Sequence, residues 1–255
     1  MENEKYLTYH GLMCPKKSHS EDNIKDFKTF KVQEDDVFVI TYPKSGTVWM
    51  QEIIPLLLNG GDFTPVQTIP NWERVPWLEA TPALFVDKMI SPRAMVSHMP
   101  YHLMPSSFFS SKAKIIYITR DPRDVLVSSF HFHRMANFLD NPGTFEEFAA
   151  KFLAGKVFYG KWADHVKSWR NPDIGDRILY IKYEEMIQVS VSIRTIKLAI
   201  SLGQELQSYQ EIAGDWKNHF SPELEAKFIA AINEEMKGYG IRFYWDEEEN
   251  EISFN

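Results

Sequence analysis

Three short apolar runs punctuate the chain: Val37–Ile40, Ile115–Ile118 and Ile178–Ile181. Each is an unbroken apolar block, the pattern of strands buried on both faces rather than one. Longer stretches with helical spacing separate them. One runs from Trp49 to about Leu58, where the internal Pro55 is expected to kink or end the helix near Ile54. Others are expected at Thr144–Leu153, opened by Asn141-Pro142-Gly143, and at Trp162–Trp169. Two more are Ile193–Leu202, closed by Gly203, and Ser221–Met236, opened by Ser221-Pro222-Glu223. Strands alternating with helices predict an α/β domain, a central parallel sheet flanked by helices on both faces. The chain has no internal repeat or low-complexity linker, and 255 residues suit one domain spanning 1–255.

Two strand ends carry chemistry. After the first run comes Thr41-Tyr42-Pro43-Lys44-Ser45-Gly46-Thr47-Val48-Trp49, a tight turn with a lysine, a glycine and hydroxyls that leads into a helix. Such a P-loop-like strand–loop–helix aims backbone N–H groups and a helix N-terminus at one point, which suits a phosphate. It departs from the Walker pattern, because Lys44 precedes Gly46 and no glycine opens the loop four or five residues earlier. An ordinary turn with a solvated lysine has the same composition. After the second run, Arg120 stands at the strand's carboxyl end, where ligands lie in open α/β sheets, and Ser128 follows about two helical turns on. Together they suit a second phosphate; a helix-start ion pair of Arg120 with Asp121 or Asp124 is the competing reading.

Charge narrows the partners. Lys+Arg of 28 against Asp+Glu of 35 gives −7, which argues against a nucleic-acid binder but not against a local cationic pocket. The run Asp246–Glu249 reads as a solvated tail. Cys14 is the only cysteine, so neither an intrachain disulfide nor a multi-cysteine metal site can form, and no metal is expected. Met1–Lys5 shows no secretory signal and no apolar run is long enough to cross a bilayer. A reducing, cytoplasmic setting without membrane association is the expectation.

With these motifs in view, the chain resembles the cytosolic sulfotransferases, which transfer a sulfuryl group from 3′-phosphoadenosine 5′-phosphosulfate (PAPS) to small hydroxyl- or amine-bearing acceptors. Tyr42–Trp49 is similar to that family's 5′-phosphosulfate loop, Arg120–Ser128 to its 3′-phosphate site, and Ser97-His98-Met99-Pro100 to the motif of its catalytic histidine. Similarity continues at Gly155–Trp169, Tyr183–Met186 and Gly214–Asn218, and Arg74–Glu79 with Ile241–Asp246 resembles the amine-sulfotransferase branch. The resemblance implies Lys44 as the group that stabilises the leaving phosphate and His98 as the general base. It implies Ser45, Gly46, Thr47 and Val48 as holders of the 5′-phosphate, Trp49 and Tyr183 as cofactor contacts, and Trp77 and Phe132 as walls of the acceptor pocket. His102, His131, His133 and His165 are read as surface or packing residues.

The resemblance also exposes losses. The family's Arg-Lys-Gly element, expected directly before Gly214, does not occur in the chain, and a few tens of residues are missing near 207–213. Gln210 and Glu211 stand near where those cations belong. Val48 replaces a threonine and Val96 a lysine of the family pattern. The dimer motif is degraded at Lys217-Asn218-His219-Phe220-Ser221-Pro222 and Ala226, which leaves a homodimer open but unsupported by that mode. The alternative to a working enzyme is a weakly active or inactive isoform that binds nucleotide or acceptor without turnover. A small-molecule kinase is disfavoured by the absent Walker glycine.

Overall fold

The computed structural model describes residues 5–187, 213–240, 243 and 245. The expected helix Ile193–Leu202 with its Gly203 cap, residues 207–212 and the run Asp246–Glu249 lie outside them. An antiparallel hairpin, β1 (Tyr6–Tyr9) and β2 (Leu12–Pro15), precedes helix α1 (Glu21–Thr29). The central sheet consists of β3 (Val37–Thr41), β4 (Ala94–Ser97), β5 (Lys114–Thr119) and β6 (Ile178–Lys182), all parallel, in the order β4-β3-β5-β6. The longer helices are α2 (Thr47–Leu58), α3 (Pro122–Met135), α4 (Phe145–Leu153), α5 (Trp162–Trp169) and α6 (Pro222–Met236).

The strand residues sort by alternation. Phe38 and Ile40 pack into one core with Tyr117, Phe152 and Trp169, while Val39 joins Met50, Ile54, Val96 and Ile118 in another. Helix and loop side chains thus cover both faces of β3 and β5, which is why those runs contain no polar residues, whereas the edge strand β6 is only partly covered and Leu179 is exposed. Thr144 and Glu147 form a reciprocal capping box on α4, and Ser221 caps α6 with Pro222 at its first position.

Pro55 neither ends α2 nor stops it near Ile54: the helix runs on to Leu58. Proline removes the N–H that would have bonded the Gln51 carbonyl. Arg74 Nη1 donates to that carbonyl instead at 3.2 Å, while its Nη2 pairs with Glu52 at 2.8 Å.

The sheet order matters for function. The chain leaves β3 for β4 on one side and then crosses to β5 on the other, so a crevice opens at the carboxyl ends of β3 and β5. The Lys44 turn follows β3, Arg120 follows β5, and His98 follows β4. In the parallel register Ile40 lies opposite Ser97, which brings Thr41 beside His98.

Candidate active site

The turn after β3 is held in a conformation that its sequence alone would resist. Lys44 has φ +70°, a left-handed value that costs a non-glycine residue about 1–2 kcal/mol. Its carbonyl accepts a charge-assisted hydrogen bond from Arg120 Nη1 at 2.8 Å, so β5 holds the turn that leaves β3. Gly46, φ +97°, then caps α2, and a Cβ there would lie 2.8 Å from Cδ2 of Tyr183. Glycine is required twice, by the backbone angle and by the ring against it.

The other candidate residues cluster around this turn. Ser45 is fully buried, and its Oγ meets no hydrogen-bond partner among the described residues. A buried hydroxyl with no partner at a helix N-terminus fits an anion's oxygen. Thr47 is buried with its Oγ1 2.6 Å from Thr41 Oγ1, whereas Val48 is exposed. Lys44 is half-buried with Nζ 4.4 Å from the centre of the Phe132 ring; burial, and then the neighbouring Arg120 charge, lower its pKa. Trp49 meets Tyr183 edge-on at 5.8 Å, and the Arg120 guanidinium stacks 4.2 Å over the buried Tyr183 ring. Ser128 is half-buried on α3, nearly two turns past the helix start, with Phe132 one turn further on. At that start, Asp121 caps the helix and pairs with Arg123 at 2.7 Å. Beside Arg120, towards β6, a cavity of about 330 Å³ opens between Lys182, Tyr180 and Trp162.

His98 is 9% exposed and tightly directed. Its Nδ1 lies 2.7 Å from the Thr41 carbonyl, which can only accept, so Nδ1 carries the proton. Nε2 is then the lone-pair nitrogen, and the Trp77 indole N–H donates to it at 3.3 Å. Burial pushes the His98 pKa down, opposed first by the nearby Glu79 charge and then by the Thr41 carbonyl. The ring therefore stays neutral at ordinary pH, and Nε2 can take a proton where an acceptor displaces the Trp77 N–H. Of the other histidines, His165 is buried against Tyr117, His133 bonds the Ser129 carbonyl at 2.8 Å, His131 is half-buried and His102 is exposed.

Three neighbours of His98 were not singled out from the sequence as site residues. Glu79 accepts the His98 backbone N–H at 2.8 Å, Tyr159 places its ring edge-on at 5.1 Å, and His19 lies beyond Tyr159. Glu79 closes the Arg74–Glu79 phrase, which was the one signal pointing there.

A turn with a buried, unpartnered hydroxyl at a helix start on one strand end, and a buried neutral histidine on the next, suit an α/β group-transfer enzyme for a small polyanion and an acceptor. Comparison with known proteins agrees. The sulfotransferase domain model matches residues 34–196. Sulfotransferase 2B1 of Homo sapiens is 37% identical over 286 residues, covering 96% of this chain and 78% of its own. The 3-alpha-hydroxysteroid sulfotransferase of Cavia porcellus is 34% identical, covering 94% of this chain and 97% of its own. The crystal structure of mouse sulfotransferase SULT7A1 complexed with PAP superposes with a TM-score of 0.73 at 26% identity, covering 96% and 99% of the two chains. The chain belongs to the sulfotransferase family, enzymes that move a sulfuryl group to a small acceptor. Neither curated relative carries an amine in its name. Among the described residues no helix is long and apolar enough to cross a membrane.

Proposed function

We propose that this enzyme transfers the sulfuryl group of PAPS to the hydroxyl of a small apolar acceptor of the steroid-alcohol class. The observation that carries the reading is the convergence of the Lys44 turn, His98 and Arg120 on one crevice at three neighbouring strand ends. PAPS supplies the activated sulfuryl group and a phosphate leaving group. Ser45, Gly46, Thr47 and Val48 hold the 5′-phosphate through backbone N–H groups and the hydroxyls of Ser45 and Thr47. Arg120 and Ser128 face the 3′-phosphate, and Trp49 with Tyr183 forms the adenine side. Lys44 stabilises the charge gathering on the departing phosphate oxygen, and its partial burial strengthens that interaction. His98 Nε2 takes the acceptor's proton as the acceptor oxygen attacks, with Trp77 and Phe132 as aromatic walls. A steroid hydroxyl suits those walls and accords with the hydroxysteroid name of one relative. The single buried Cys14 suits a reducing, cytoplasmic setting.

The direct test incubates the protein with labelled PAPS and a panel of steroid alcohols, phenols and amines. Sulfated steroid is expected. No product with any acceptor, from well-folded protein, overturns the reading, and product with amines alone overturns the acceptor class.

A second reading, binding without turnover, is favoured by the missing Arg-Lys-Gly before Gly214. The alignment to the human relative runs over 286 residues, longer than the 255 of this chain, in accord with a missing segment. Losing two cationic phosphate partners at roughly 1.5–3 kcal/mol each weakens nucleotide binding by about two to four powers of ten. Calorimetric titration with 3′-phosphoadenosine 5′-phosphate beside the turnover assay separates the readings, because sulfated product at ordinary nucleotide affinity is incompatible with the second.

A further inference from the structure

Glu79 is fully buried beside the candidate base. Its Oε1 accepts two hydrogen bonds, from the His98 backbone N–H at 2.8 Å and from the Tyr159 hydroxyl at 3.1 Å. Its Oε2 is buried and meets no hydrogen-bond partner among the described residues. Behind Tyr159 the bonding continues: the hydroxyl lies 2.7 Å from His19 Nε2, and Ser18 Oγ lies 2.9 Å from His19 Nδ1. His19 Nδ1 also lies 3.1 Å from the Pro15 carbonyl, so this ring is tied to the backbone after β2. Both contacts of Glu79 Oε1, the His98 backbone N–H and the Tyr159 hydroxyl, are donors to it, as a carboxylate oxygen requires. An uncompensated buried charge is expensive, so the site gains wherever a positive charge forms next to it.

We propose that Glu79 is the positioning residue of the His98 base, fixing the His98 backbone and stabilising the imidazolium that forms when the acceptor gives up its proton. The proposal rests on the reading of His98 as that base. The other groups facing the ring do not supply the same effect. Lys44, from the turn after β3, and His19, from the connection between β2 and α1, both disfavour a protonated ring. His165 of α5 is itself held neutral by burial, and Thr41, Trp77 and Tyr159 are uncharged. Glu79 is the anion in this set, and its charge is the first influence opposing burial. Its bond to the His98 backbone also sets where Nε2 points, because Nδ1 is tied to Thr41 on the neighbouring strand.

The test is Glu79→Gln, which keeps an oxygen for the two hydrogen bonds and removes the charge. In histidine-labelled protein followed by NMR, the His98 titration is expected to move to lower pH while affinity for 3′-phosphoadenosine 5′-phosphate stays unchanged. At saturating PAPS, kcat is expected to fall about tenfold, with the acceptor KM altered by about twofold at most and the acid limb of kcat moved to lower pH. In a His98→Ala background the same substitution should change kcat by about twofold at most, since the effect passes through the imidazole. An unmoved His98 titration in folded Glu79→Gln overturns the proposal. So does an undiminished loss in the His98→Ala background, which would show that Glu79 acts elsewhere. The NMR titration needs no turnover, so a protein without sulfotransferase activity fails the proposed function while still reporting on Glu79 and His98.

Discussion

The Lys44 turn and the His98 site meet at Thr41 but are built by opposite means. The turn is made of consecutive residues, Thr41 to Trp49, and its functional surface is largely backbone: a left-handed Lys44, a left-handed Gly46 and a helix start. The His98 site gathers side chains from five separated stretches, at His19, Thr41, Trp77 to Glu79, His98 and Tyr159. A backbone cradle is exacting about conformation and tolerant of distant change. An assembled polar cluster depends on every element that delivers a member. The two regions should therefore fail differently when perturbed.

Removing the two candidate catalytic groups gives the largest expected contrast. His98→Ala should cut turnover by about 10²–10⁴ while sparing affinity for 3′-phosphoadenosine 5′-phosphate, whereas Lys44→Ala should lower both. Calorimetry beside single-turnover kinetics checks this, and equal loss of nucleotide affinity in the two variants breaks the distinction.

Acid should damage both regions at once. His165 lies beneath them, edge-on to Tyr42 at 5.7 Å and stacked on Tyr117 at 5.8 Å. Burial pushes its pKa down to about 3, while the unfolded chain takes up the proton near the ordinary value of 6.5. The unfolded state thus binds more protons between these values, so stability is full above about 6.5 and falls as pH drops towards 3, by a few kcal/mol. Denaturant midpoints measured across that window should decline more gently in His165→Gln than in the parent. An equally steep decline would assign the effect to His19, His98 and His133, whose pKa values burial also lowers.

Gly46→Ala sharpens the contrast from the turn's side. It places a Cβ 2.8 Å from Tyr183 at a φ of +97°, at a cost of about 1–3 kcal/mol in stability. Nucleotide affinity should drop with it, yet the NMR titration of His98 should not move. A shifted His98 titration would mean that the two sites are not separately built. Thr144→Ala supplies the smallest expected effect. Loss of the capping box on α4 should cost about 1 kcal/mol in denaturation, with turnover per folded molecule unchanged.

Much of the architecture was legible beforehand because it depends on short-range pattern. Uniformly apolar runs of strand length mark β3, β5 and β6, Asn141-Pro142-Gly143 precedes α4, and Ser221-Pro222-Glu223 marks the start of α6. The sequence does not mark the short β4 as a strand, and it offers Pro55 as a kink or end of α2 because nothing nearby in sequence reveals that Arg74 bonds the freed Gln51 carbonyl. The lysine, glycine and hydroxyls of the Thr41–Trp49 turn were visible because a turn of that kind is written in consecutive residues. By itself, then, the sequence determined the fold class, the turn and the histidine to examine. Tertiary structure alone decided that Tyr183 packs on Gly46, that Arg120 holds the Lys44 carbonyl, and that Thr41 sets the tautomer of His98. It also decided that Glu79 reaches His98 and Tyr159, and that His19 reaches Tyr159 across 140 positions of sequence. The physical reason is range. Conformational preference acts between neighbours, whereas the direction of a buried hydrogen bond and the field on an imidazole depend on which strand lies next to which, at what register.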